Sequence, residues 1–175
     1  MTLKLSNIHI VLLAAGNSTR FKAKENKLLS KLKDKTILEH NIEQLKKIGF
    51  KKITLVIRNN SILKNTKEKN IELIKGGKTR TLSVRNALLK SKIKAKYVFI
   101  HDAARILNSE KLLKKLIKET KKEIYDCIIP FSKCADTVIK NHTNIKRENL
   151  KLIKTPQVFL KKKIKIILIS NVSKK

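Results

Sequence analysis

Ala14-Ala15-Gly16-Asn17-Ser18-Thr19 is followed directly by Arg20 and, seven residues later, by Lys27. Small residues let a backbone approach a ligand closely, and Gly16 can take a positive φ, so successive N–H groups can converge on an anion. Arg20 and Lys27 would set fixed positive charge beside that nest. A second cluster, Gly76-Gly77-Lys78-Thr79-Arg80-Thr81-Leu82-Ser83, places two glycines before a predicted helix start. There, backbone N–H groups and the helix dipole favour an anion or a polar base edge. A third cluster is His101-Asp102-Ala103-Ala104-Arg105. Asp102 is the candidate for holding a magnesium ion on a triphosphate, because Mg²⁺ takes one or two carboxylates plus phosphate oxygens. The first and third clusters also admit plainer roles: a solvated basic loop for the first, a helix cap for Asp102 and a surface ion pair for Arg105 in the third.

The elements that must position these clusters follow from periodicity. Ile8 to Ala15 is an apolar run broken only by His9, the pattern of a strand buried on both faces. Thr36-Ile37-Leu38-Glu39 has capping-box form, and Ile37, Leu38, Ile42, Leu45 and Ile48 continue a helical stripe that Gly49 ends. Strands are predicted at 53–57, 71–74, 97–100 and 127–130, with a loop or short helix over 58–70. Helices are predicted over about 79–90, burying Leu82, Ala87 and Leu88, and from Ser109 onward through Leu112, Leu113, Leu116 and Ile117. Strands alternating with helices give βαβ units and a mostly parallel sheet. Every cluster then stands where a strand ends, the place at which open α/β sheets bind nucleotides. From Ala135 the pattern changes: 136–140 and 149–153 read as strands around a polar turn, an excursion from the sheet. The apolar tail beyond Lys161 fits either helix or strand.

The 175 residues suit one domain, and 41% apolar content with regular segments argues against disorder. The longest apolar runs fall far short of the roughly 18 residues a bilayer span needs, and the polar start lacks signal-peptide form. No membrane association is expected, and a cytoplasmic location follows. The formal charge of +30 raises nucleic acid as a partner, yet only six of the 43 basic residues are arginine, at 20, 58, 80, 85, 105 and 147. Lysine is spread over every polar face and accompanied by abundant isoleucine and asparagine. We read the charge as compositional drift and solvated surface, and expect no nucleic-acid partner. Cys127 and Cys134 lack the spacing of a zinc site, and Cys127 is expected to be a small core residue.

In combination the clusters resemble the methylerythritol phosphate cytidylyltransferases of the non-mevalonate isoprenoid route. The matching residues are Leu13-Ala14-Ala15-Gly16 with Arg20 and Lys27, Gly76-Gly77 with Arg80 and Ser83-Val84, and His101-Asp102-Ala103-Ala104-Arg105. Asp136-Thr137, Arg147 and Thr155-Pro156-Gln157 with Phe159 complete the order, so the resemblance covers about Ile8 to Phe159. It implies an α/β, Rossmann-like nucleotidyltransferase fold forming one domain over 1–175, with a β-arm at about 136–153 that swaps across a homodimer. It implies transfer of CMP from CTP to methylerythritol phosphate with Mg²⁺. By the same resemblance Ala14, Ala15, Gly16, Gly76, Gly77 and Ser83 bind CTP. Arg20, Lys27 and Arg147 are catalytic, and Asp102, Arg105 and Thr137 border the acceptor.

The chain departs from the family pattern at four places. Asn26 and Ile106 stand where the family has prolines, and Lys78 where an acid follows the double glycine. Family members continue past Thr-Pro-Gln with an acidic helix and an Asn-Ile-Lys motif, so the C-terminal part of the family domain is expected to be missing. Two alternatives stay open on sequence: a related cytidylyltransferase acting on a pentitol phosphate, and a domain that binds nucleotide or a partner without turnover.

Overall fold

The computed structural model describes residues 4–16, 26–58, 71–106 and 110–170. Its centre is a six-stranded sheet in the order β5-β4-β1-β6-β12-β7. β1 (Ile8–Ala14), β4 (Ile53–Ile57), β5 (Ile71–Lys75) and β6 (Tyr97–Asp102) run parallel. β12 (Gln157–Leu160) is antiparallel to both β6 and β7 (Cys127–Ile128). The mostly parallel, helix-flanked sheet expected from the sequence is therefore present.

The continuous apolar runs are explained by two-sided burial. On one face Ile10, Leu12, Leu55 and Phe99 pack with Leu38, Ile42 and Leu45 of α1 (Ile37–Lys47) and with Leu113 and Leu116 of α3 (Glu110–Thr120). On the other face Val11, Val56, Val98 and Ile100 meet Val84, Ala87 and Leu88 of α2 (Arg80–Lys90) and Ile164 of α4 (Lys161–Ser170). The tail is thus helical over these residues. Before α1 lies a small ribbon of β2 (Lys31–Leu32) and β3 (Lys35–Thr36). The capping box forms as read: Thr36 Oγ1 accepts from Glu39 N at 3.2 Å, and the Glu39 carboxylate accepts from Thr36 N at 2.8 Å. Gly49 then takes φ +103, a conformation that ends the helix and suits glycine.

Three local expectations are corrected. Leu82 is exposed rather than buried, because it covers Gly77 at the helix start; the buried side of α2 is Ser83, Val84, Ala87 and Leu88. Cys127 is exposed rather than a core residue, since β7 is the last strand of the sheet; Cys134 is the buried cysteine. The arm begins before 136. β8 (Phe131–Lys133) pairs with β11 (Lys151–Ile153) as a stalk, and β9 (Val138–Lys140) pairs with β10 (Thr143–Ile145) at the tip. Asn141 and His142, both at positive φ, form the two-residue turn between β9 and β10. The segments 59–70 and Ser109 lie outside the described residues.

Candidate active site

The C-terminal ends of β1, β5 and β6 converge on one cavity of about 510 Å³. Its floor is the turn out of β1, Ala14-Ala15-Gly16. Gly16 has open space where a Cβ would sit and is not in the left-handed region, so its use is access for a ligand rather than a special φ. That corrects the positive φ considered for it.

The loop after β5 is held against this floor by close approach. Gly76 N donates to Ile57 O at 2.7 Å, and a Cβ at Gly76 would lie 2.5 Å from the Ala15 Cβ. Gly76 therefore packs the two loops together and does not itself line the cavity. Gly77 lines it, with its N–H donating to Ser83 Oγ at 3.1 Å. Thr79 caps α2 by accepting from Leu82 N at 3.1 Å. The loop is thus pre-shaped by its own hydrogen bonds, and Ser83 stands at its inner edge.

Across the cavity, Asp102 ends β6 with both carboxylate oxygens engaged. Oδ1 accepts from Arg80 Nε at 3.1 Å, and Oδ2 lies 3.5 Å from Arg105 Nε. Arg105 forms the ion pair considered for it, but with a residue of the cavity wall. The Asp102 side chain is not a cap of a described helix; instead the backbone Arg105 N donates to Asp102 O at 3.0 Å, closing a turn. Arg58 and Lys78 also line the space, so four cations surround one carboxylate. That balance suits a polyanion.

Two buried side chains brace this wall. His101 meets Arg105 O through Nε2 at 2.8 Å and Thr155 Oγ1 through Nδ1 at 3.0 Å. A carbonyl only accepts, so Nε2 carries the proton and Nδ1 accepts from the threonine hydroxyl. Desolvation pushes the His101 pKa below the usual imidazole value, outweighing the carbonyl contact that favours the charged form. Asn41, fully buried on α1, donates to Ala103 O at 2.8 Å. Neither His101's braces nor Asn41 could be found from local sequence, because their partners lie on other elements.

The sequence-derived residues are not all brought together. Ala14, Ala15, Gly16, Gly77, Ser83, Asp102 and Arg105 line the cavity. Lys27 opens a short 3₁₀ turn, Lys27–Leu29, whose Leu28 reaches the cavity while Lys27 does not line it. Asn26 sits at φ −64 and its side chain accepts from Leu28 N at 3.1 Å, so a side-chain cap shapes this turn where the family pattern has a proline. Thr137 and Arg147 stand on the arm and do not line the cavity; Arg147 Nη1 donates to Ala135 O at 3.2 Å. The arm carries them away from the chain's own sheet. Arg20 lies outside the described residues. Arg80 was read only as part of a motif, yet it is central to the wall.

For a divalent cation the cavity offers one carboxylate. No three His, Cys, Asp or Glu side chains gather as a metal site among the described residues. Such a donor set fits a cation that keeps phosphate and water ligands, not one caged by protein alone. No helix among them is long and apolar enough to cross a membrane.

Comparison with known proteins agrees with this geometry. The family model for 2-C-methyl-D-erythritol 4-phosphate cytidylyltransferase (IspD) matches residues 8–172. The bifunctional enzyme IspD/IspF of Pelagibacter ubique is 44% identical over 166 residues, covering 90% of this chain and 44% of the relative. That of Campylobacter jejuni strain 81-176 is 38% identical over 168 residues, covering 95% and 44%. The solved bifunctional IspDF from Campylobacter jejuni superposes with a TM-score of 0.82 at 37% identity, over 92% of this chain and 42% of that one. The Francisella tularensis 2-C-methyl-D-erythritol 4-phosphate cytidylyltransferase gives 0.79 at 26%, over 95% and 78%. The chain thus spans under half the length of the curated bifunctional relatives.

Proposed function

The chain belongs to the 2-C-methyl-D-erythritol 4-phosphate cytidylyltransferase family, and we propose that it transfers CMP from CTP to 2-C-methyl-D-erythritol 4-phosphate, releasing pyrophosphate. The observation that carries this reading is the cavity: a small-residue turn and a glycine loop face four cations around Asp102. Such a site positions a triphosphate without offering a nucleophile. It neutralises the triphosphate through Arg58 and Lys78 rather than through Arg80, whose guanidinium is held by Asp102 and Gln157.

The chemistry needs no more than that. An oxygen of the acceptor phosphate attacks the α-phosphorus of CTP, a new P–O bond forms, and the bond to the β-phosphate oxygen breaks. The acceptor phosphate is largely ionised at neutral pH, its second pKa being about 6, so no general base is required. Catalysis is alignment plus stabilisation of charge on the oxygens of the transferred phosphorus. Arg20 and Lys27 supply that positive charge. The turn at 14–16, Gly77 and Ser83 hold the nucleotide, with Gly76 fixing the loop's depth. Asp102 and Arg105 border the acceptor, and Arg147 grips its phosphate in the bidentate manner of a guanidinium. A Mg²⁺ arriving with the nucleotide would be held by Asp102 and the phosphates, neutralising charge as the pyrophosphate leaves.

The acceptor end is completed by a second copy. Phe131, Ile139 and Ile153 of the arm are 50%, 65% and 52% exposed, an apolar surface suited to a homodimer. In such a dimer the arm delivers Thr137 and Arg147 to the partner's cavity. Both substrates are small phosphorylated metabolites, which suits a cytoplasmic enzyme.

The test is pyrophosphate release with CTP, Mg²⁺ and methylerythritol phosphate, beside Lys27→Ala, with ribitol phosphate as a rival acceptor. The expected result is turnover on methylerythritol phosphate that drops about 10²–10³-fold in Lys27→Ala. Faster turnover on ribitol phosphate would reassign the acceptor. CTP-dependent thermal stabilisation without any turnover would leave only a nucleotide-binding role.

A further inference from the structure

Arg80 is the first residue of α2, Asp102 the last of β6 and Gln157 the first of β12. One guanidinium joins all three elements. Its Nε donates to Asp102 Oδ1 at 3.1 Å, and its Nη2 donates to Gln157 Oε1 at 3.3 Å, across a separation of 77 residues. The other carboxylate oxygen of Asp102 faces Arg105.

We infer that Arg80 is a positioning residue, which holds the nucleotide-side loop before α2 in register with acceptor-bordering Asp102 and with the start of β12. The inference rests on the cytidylyltransferase reading above. Its physical basis is the fork. Two different nitrogens of one rigid plane engage two partners on two strands, so the distance and angle between them are fixed together. A single ammonium cannot reproduce that geometry, even though it keeps the charge. β12 is entered directly from the arm, so the fork also anchors the arm's base beside α2. His101 ties the same segment through Thr155, two residues before Gln157. The groups that would contact CTP, by contrast, are the turn at 14–16, Gly77 and the Ser83 hydroxyl, none of which Arg80 holds through a side-chain bond.

The consequence is a split between binding and turnover. Loss of the fork leaves CTP seated but lets the acceptor end drift from the line of attack, and small misalignments of reacting groups reduce rate steeply. The experiment compares Arg80→Lys, Arg80→Ala, Gln157→Leu and the double variant Arg80→Lys/Gln157→Leu, titrating each substrate separately. The expected result is a fall in kcat of about 10- to 100-fold in both Arg80→Ala and Arg80→Lys, with KM for CTP within about twofold of the original. The double variant should be no slower than Arg80→Lys alone, because both changes break the same bridge. Three results would overturn the inference. One is Arg80→Lys at full kcat, which assigns Arg80 a role by charge alone. Another is a loss confined to KM for CTP, which makes it a phosphate ligand. The third is unchanged kinetics with a lowered Tm, which makes it merely structural.

Should the unaltered protein release no pyrophosphate, the functional reading fails, and the bridge is judged separately by ¹H–¹⁵N spectra of the arginine side chains. A slowly exchanging Arg80 Nε–H signal that disappears in Asp102→Asn and broadens in Gln157→Leu supports it. An Arg80 signal indifferent to both overturns it.

Discussion

The side-chain amide of Asn41 donates to the carbonyl oxygen of Ala103 at 2.8 Å, joining α1 to the turn that carries Asp102 and Arg105. Asn41 is fully buried, so this bond has no competition from water. A second bond from the same nitrogen, to Ile37 O at 3.1 Å, fixes the amide's orientation. The Asp102–Arg105 turn thus rests on the helix behind the sheet as well as on its own strand.

Replacing this amide by a side chain of similar size should therefore reach the site. Asn41→Leu leaves the Ala103 carbonyl buried without its partner, costing about 1–3 kcal/mol. Thermal unfolding should show Tm lowered by roughly 3–10 °C for a chain of this size. An unchanged Tm would mean the turn does not depend on α1.

Stability should also fall in mild acid. His9 is buried on β1, bonded through Nε2 to Thr54 Oγ1 at 2.7 Å, while Nδ1 has no hydrogen-bond partner. Desolvation lowers its pKa from 6.5 to about 4, against the opposing pull of Glu72. Between those values the unfolded chain binds a proton that the folded chain refuses, so stability is full above about pH 6.5 and is lost as pH falls toward 4. The contribution is on the order of 3 kcal/mol across that window. Urea midpoints measured from pH 7 to 4.5 should drop in the native protein and drop less in His9→Val; equal slopes would refute the assignment.

Gly76 offers a test of the loop packing. In Gly76→Ala the new methyl would sit 2.5 Å from the Ala15 Cβ and 3.0 Å from Ser83 Oγ. Both neighbours belong to the nucleotide end, so the loop must move off the β1 turn, at a cost of about 1–3 kcal/mol. Calorimetric titration with CTP should show affinity reduced about tenfold or more. Binding at full strength would show that the ligand does not use this loop's depth.

The shared site proposed for the dimer predicts complementation. Arg20→Ala and Arg147→Ala should each be nearly inactive alone. In an equal mixture about half the dimers pair one of each, and each such dimer has one intact site of two. Roughly a quarter of native activity should return on mixing and exchange. No recovery would place Arg20 and Arg147 in the same chain's site, or show that no exchange-competent dimer forms.

What the sequence made legible was local. The two-sided strands at Ile8–Ala14, Ile53–Ile57 and Tyr97–Asp102 announced themselves by unbroken apolar runs, and the Thr36–Glu39 box by residues three apart. The cavity lining came from motifs at strand ends, so most of it could be named in advance. Features decided by distant partners could not. Nothing near Cys127 says that its strand would be the last of the sheet and leave it exposed, and nothing near Cys134 marks it for burial. Leu82 fits a helical stripe, but a glycine five residues earlier draws it outward. Arg80 belonged to the Gly76-Gly77 motif on sequence, but its bridging role depends on Gln157, 77 residues away.

β12 lies between β6 and β7 and pairs with both, although it is made after both and after the whole arm. During synthesis, β6 therefore emerges with one edge unsatisfied, and β7 has no neighbour in the sheet until β12 arrives. The strands that shape the nucleotide end can pair early, since β1, β4, β5 and β6 need nothing later in the chain. The edge of β6, by contrast, stays open to other chains until Gln157–Leu160 slots in. Assembly of the two ends of the cavity is thus separated in time, and the interval between them is the period when a nascent chain is most exposed to aggregation.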